Sequence, residues 1–136
     1  MQPLFFFMAM KKITLFVLLL ACLLPSCHYD ERNAEKVAYA YLNALANYKV
    51  EEAKQYATPE TCQETLTIAE KLVAMVDTAY IISDTPAKIE IQELVIVNDT
   101  MANVKYVKNT PIKHNMQGEL QLVKRNNKWQ AHDMLR

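Results

Sequence analysis

Hydrophobic and polar positions along this chain keep three successive rhythms. First comes an unbroken apolar run, Ile13 to Leu24, directly after Lys11-Lys12. From about Asp30 to Asn47 the apolar residues Ala34, Val37, Ala38, Tyr41, Leu42 and Leu45 then recur at three- and four-residue steps, with no Gly or Pro among them. That spacing predicts an amphipathic helix with one core-facing stripe. Asn47-Tyr48-Lys49 breaks it, and Val50 to Ala57 predicts a second, short helix with Ala53 and Tyr56 inward. Thr58-Pro59-Glu60-Thr61 is a start signal: Thr58 caps, Pro59 fits the first helical position and Glu60 suits the helix dipole. The third helix then carries Leu66, Ala69, Val73, Val76 and Tyr80 on one side as far as about Ile82.

After Ser83-Asp84-Thr85-Pro86 the period becomes two, the mark of strands. Lys88 to Val97 alternates through Ile89 and Ile91, then runs Leu94-Val95-Ile96-Val97 without a polar residue, which predicts a strand covered on both faces toward its end. Asn98-Asp99-Thr100 is turn chemistry. The next strand places Ala102, Val104 and Tyr106 on one face, and Asn109 to Gln117 is a polar loop containing Pro111. Gly118 to Lys124 turns Leu120 and Leu122 inward, and Asn126-Asn127 closes a tight hairpin because Asn tolerates positive φ. Trp129 to Leu135 is the last strand, with Trp129 and Ala131 on one face. Helices grouped before strands imply an α+β fold: N-terminal helices packed on a curved four-stranded antiparallel sheet, the long helix on its concave face.

Charge and cysteine content narrow the function. The formal net charge of the 136 residues is zero. Lys11 and Lys12 are the only charges before Cys27, so the part after the apolar run carries 13 basic and 15 acidic residues, or −2. No nucleic-acid surface or polybasic membrane footing is expected from such a balance. A positive segment followed by twelve apolar residues has the layout of a secretory signal and is too short for a spanning helix, which needs about 20.

Here Leu24-Pro25-Ser26-Cys27 resembles the signal of bacterial lipoproteins: an apolar residue, a variable one, a small one and a cysteine. The resemblance implies lipid attachment to the Cys27 sulfur and cleavage before it, making 1–26 a signal peptide, 27–33 a lipidated tether and 34–136 the folded domain. Two or three acyl chains give stable anchoring where one would be marginal. The location implied is the bacterial cell envelope, on the periplasmic or surface face of the outer membrane. Met10, just before the lysine pair, is then the expected true start. His28-Tyr29-Asp30-Glu31 resembles the surface-export signals of some Bacteroidetes-type lipoproteins, although Asp30 and Glu31 also suit a helix N-terminus. Cys22 leaves with the signal, so Cys62 remains as the one thiol and is expected to be half-buried and structural.

At the domain level the chain is similar to small lipoproteins with an NTF2-like (cystatin-like) cone, the DUF4878 type of unknown function. The matching pieces are Val37 to Leu45, Tyr48 to Glu60, Asn98 to Val104 and Leu122 to Trp129, with Asn127 where relatives more often show Gly. The resemblance implies a cone with room for a pocket between long helix and sheet, and no assigned activity. Tyr41, Tyr106 and Trp129 are the candidate ligand-binding residues.

An enzyme of ketosteroid-isomerase type would need a carboxylate and a Tyr facing one cavity, for which Tyr41, Tyr106 and Asp133 are the candidates. Packed tyrosine rings with their hydroxyls satisfied at the rim account for the same residues without catalysis, Asp133 then being an exposed end-of-strand acid. Trp129 is expected to close the open end of the cone by packing. His28, His114 and His132 lack metal-ligand spacing, and a Cys62–His132 nucleophile pair would depend on spatial proximity alone. Glu51-Glu52-Ala53-Lys54 reads as a solvated helix face with one Glu-to-Lys pair. Gly118, the single glycine, excludes a Gly-rich phosphate loop. The expectation is a non-enzymatic, cofactor-free domain that binds a small apolar ligand or another envelope protein, the alternative being an NTF2-like enzyme.

Overall fold

The computed structural model describes residues 29–135, so Cys27, the apolar run before it and Met10 lie outside the described residues. Asn33–Arg136 forms one compact unit, which contains the core. Helix α1 covers residues 29–46, so the described residues of the expected tether, 29–33, are helical. Its stripe is the expected one: Ala34, Ala38, Tyr41, Leu42 and Ala44 are buried, with Val37 and Leu45 packed at the edge of the core. The helix ends where the pattern broke. Tyr48 takes φ 64°, its N–H donates to the Leu45 carbonyl at 3.1 Å, and the Lys49 N–H donates to the Ala44 carbonyl at 2.8 Å. This is a Schellman closure with tyrosine where glycine is usual.

The second helix is shorter than its pattern: α2, Val50–Lys54, stops before Tyr56. The third expected helix is three. Thr58 caps α3, Pro59–Gln63, as anticipated; α4 is Thr65–Met75 and α5 is Thr78–Ser83. Val76 and Asp77 are extended and the Asp77 carboxylate caps the Ala79 N–H at 3.2 Å, so the long helix is cut by a start signal inside it. Among the described residues no helix is long and apolar enough to cross a membrane.

The strands are β1 (Lys88–Asn98), β2 (Met101–Asn109), β3 (Met116–Arg125) and β4 (Lys128–Ala131), an antiparallel meander in sequence order. Asn126 and Asn127 both have positive φ, as the hairpin requires. The apolar end of β1 is not covered on both faces. A register shift between Ile91 and Glu93 moves the inward set from Ile89 and Ile91 to Leu94 and Ile96, leaving Val95 and Val97 46% and 51% exposed. Strict alternation would have turned Glu93 into the core, and the bulge prevents this.

Inward residues line up across the sheet as Ile96–Ala102–Leu122–Ala131, Leu94–Val104–Leu120 and Ile91–Tyr106–Gly118. Most of these meet the α1 stripe and Leu66 in one core. β4 is shorter than expected, four residues ending at Ala131, because the chain after it is bound by the helices.

Candidate functional site

Ala131 is held from the helical side: its N–H donates to the Tyr56 carbonyl at 2.7 Å and its carbonyl accepts from the Thr58 N–H at 2.9 Å. His132 still reaches the sheet, donating its N–H to the Gln121 carbonyl at 2.8 Å. The chain then turns away. The Asp133 N–H donates to Thr61 Oγ1 at 3.0 Å, and its carbonyl accepts from the Thr65 hydroxyl. His132 Nδ1 lies 3.1 Å from Thr58 Oγ1, and the Thr61 hydroxyl donates to Met134 Sδ at 3.8 Å. Three threonines on or just before α3 and α4 thus grip the C-terminal segment.

Two residues singled out by pattern meet here. The Tyr41 hydroxyl donates to Asp133 Oδ2 at 2.8 Å, and Tyr41 is fully enclosed. Burial pushes its pKa far above the usual tyrosine value, and the charge and hydrogen bond of Asp133 add to the rise. A group so held keeps its proton and donates it in a hydrogen bond. Tyr106, half-buried, is raised first by burial and then by the Asp133 charge. Its place depends on Gly118 directly opposite: a Cβ there would overlap the Tyr106 ring. Sequence alone could place Gly118 in a strand but not across from Tyr106. Asp133 is half-buried and bonded, rather than a free exposed acid.

Asp133 also borders a cavity of about 520 Å³, with Asn103, Lys105, Glu119, Gln121 and His132 among its polar lining and Leu120 among its apolar one. A second cavity of about 480 Å³ adjoins Gln92, Tyr106, Gln117 and Gly118 and shares Lys105 and Glu119 with the first. No residue of α1 lines either one. In the core Tyr41, Val104 and Trp129 are buried, with Leu45, Val73 and Leu94 packed against the same cluster. Trp129 is 3% exposed, lies in the core and borders neither cavity, with Lys124 Nζ 5.6 Å from its ring centre.

Cys62 and His132 form no nucleophile pair. The Cys62 thiol donates to the Lys54 carbonyl at 3.6 Å while His132 Nδ1 faces Thr58, and burial raises the thiol pKa. His114 is exposed on its loop, and among the described residues no cluster could hold a metal. Lys54 joins Glu51 at 2.8 Å and also Glu70, so the expected solvated face ties α2 to α4.

A second carboxylate cluster escaped the periodic reading. Asp84, 4% exposed, accepts from the Tyr48 hydroxyl at 2.6 Å and the Thr110 hydroxyl at 2.7 Å. Those two bonds hold its pKa below the usual carboxylate range, helped by the charges of Lys113 and Lys108. Tyr48 is pushed up to about 12, by burial first and then by Asp84. Beside it Asn47 Oδ1 accepts from the Ala87 N–H at 2.8 Å, joining the end of α1 to the start of β1.

No protein-family model matches the chain, and no curated protein matches it. Among solved structures it is similar to a candidate NTF2-like transpeptidase from Campylobacter jejuni, seen in a crystal structure at 2.00 Å resolution. The TM-score is 0.56 with 18% sequence identity, over 73% of this chain and 96% of that chain. At that identity the likeness establishes the fold: helices on a four-stranded antiparallel sheet of NTF2-like type.

Proposed function

We propose that this chain is a lipid-anchored bacterial envelope protein of the DUF4878 kind, whose NTF2-like domain works by binding and not by catalysis. The anchor is the lipid on Cys27, and the site of action is the periplasmic or surface face of the outer membrane. One observation carries the binding reading: Tyr41 sits in the packed apolar core, and its bond to the half-buried Asp133 is locked. Tyr41 is enclosed with its pKa raised, and Asp133 is held by its own backbone as well as its side chain. Such a pair positions a chain segment, whereas general acid–base work needs a group poised near the working pH and within reach of substrate.

The transpeptidase activity in the Campylobacter protein's name does not travel with the fold, because folds of this size host unrelated functions. One observation favours the enzyme reading as a second: Asp133 borders the larger cavity with a tyrosine hydroxyl bonded to it.

The test is intact-mass analysis of membrane-extracted protein, wild type against Cys27→Ala, followed by chemical crosslinking in native envelope. Loss of lipid mass and membrane retention in the variant, with a crosslinked envelope partner in the wild type, is the expected result. An unlipidated wild type, or turnover of a substrate that Tyr41→Phe abolishes, contradicts the proposal.

A further inference from the structure

β3 has ten residues and β4 four, so β4 pairs only with Leu122–Arg125. Two hydrogen bonds fix which way each β3 residue points. The Lys124 N–H donates to Thr100, on the β2 side, and the Gln121 carbonyl accepts from His132, on the β4 side. By the alternation of an antiparallel ladder, Gln117 and Glu119 also turn their N–H and C=O toward the β4 side. Among the described residues no strand lies there. Had the chain continued as a strand past Ala131, Met134 would stand opposite Glu119; the Thr61 and Thr65 bonds to Asp133 draw it away.

Native sheets blunt their edges. Here β1 carries two register shifts, and β4 is covered by Tyr56 and Thr58 through the bonds to Ala131. The Gln117–Glu119 edge has neither device. Both residues are exposed, and the two cavities meet at Glu119.

We propose that this open half of β3 docks an extended peptide of a partner protein by strand addition, with a basic side chain set beside Glu119. The charge comes from the row that crosses the sheet: Glu93, Lys105 and Glu119 are successive cross-strand partners. Lys105 pairs with Glu93 at 3.8 Å, so the row ends on the Glu119 carboxylate, with Asp133 near the same cavity. A Lys or Arg on the added strand continues the alternation, and opposite charges set across strands stabilise pairing. A second copy pairing through this edge would set Glu119 against Glu119 or Gln117, which supplies no cation. The proposal rests on the binding reading above and gives it a partner class: an extended segment with alternating side chains and a central base.

The test uses full-length protein in detergent micelles and a labelled eight-residue peptide alternating threonine and valine around one central lysine. Controls are the same peptide with glutamate for lysine, and the lysine peptide N-methylated at alternate residues. The lysine peptide is expected to bind about fivefold tighter than the glutamate one and to slow exchange of the Gln117 and Glu119 amides. N-methylation is expected to abolish binding, and Glu119→Lys, at an exposed site, to reverse the charge preference. Unchanged exchange at those amides, equal binding of the N-methylated peptide, or no binding of the lysine peptide overturns the edge proposal. An envelope partner still crosslinked in that case leaves the binding reading standing, so the two fail separately.

Discussion

Two tyrosine–carboxylate pairs occur in this domain, and they do different work. Around Asp84 both carboxylate oxygens accept from hydroxyls, lysines add favourable charge and the group is enclosed. Its partners come from the end of α1 and the loop after β2, so the cluster ties turns together where no apolar stripe reaches. Around Asp133 the carboxylate takes a single tyrosine hydroxyl, and the main chain is gripped as well. The first cluster closes the fold. The second ends a strand and leaves its neighbour's edge open. Hydrogen-bonded acids of the same type can therefore be structural in one place and, in another, determine which surface is free.

Removing each cluster separates the roles. Asp84→Ala strands two hydroxyl donors and is expected to cost about 2–4 kcal/mol in urea unfolding, since orphaned buried polar groups are expensive. A loss under 0.5 kcal/mol would place the Asp84 cluster outside the fold's supports. Next in size, Gly118→Ala forces the Tyr106 ring from its place and should cost about 1–3 kcal/mol, read as a lowered melting temperature. Restoration by a second change, Tyr106→Val, checks that ring and Cβ compete for one space.

Tyr41→Phe removes one hydrogen bond beside Asp133 and is expected to cost about 1 kcal/mol. Its diagnostic effect is faster amide exchange at Asp133, with the Asp84 cluster unchanged. The smallest effect is a pH dependence. The Asp84 pKa is lowered in the folded state, so its contribution is complete above the ordinary carboxylate value, about 4, and is lost as pH falls through the lowered one. Stability should fall on acidification below about pH 5, and Asp84→Asn should flatten that slope. An equal slope in the variant would assign it to other groups.

Much of this was legible along the chain. The α1 stripe, the Thr58-Pro59 start, the Asn126-Asn127 hairpin and the meander all follow from local chemistry that the tertiary structure leaves alone. Tyr41 and Asp133 also stood out by pattern, and they meet. The β1 bulge was hidden because Leu94 to Val97 are all apolar, and only Glu93 betrays which parity must face the core. The end of β4 was hidden for another reason: it is decided by Thr61 and Thr65, about seventy positions upstream. In the sequence Asp84 shows only as part of the break before the strands, since a polar cluster assembled from separate turns has no period to detect. The cut at Asp77 had a visible signal, Asp-Thr as a cap, that the apolar run around it overrode.

Amide exchange in the free full-length protein compares the two halves of β3 directly. Val123 and Arg125 face β4, and Gln117 and Glu119 face the edge that Asp133's grip leaves open. The account predicts that Gln117 and Glu119 exchange at least tenfold faster than Val123, as open edges do, and that a docked peptide slows them. Protection of all four amides to the same degree in the free protein would mean that the edge is already occupied, and would contradict it.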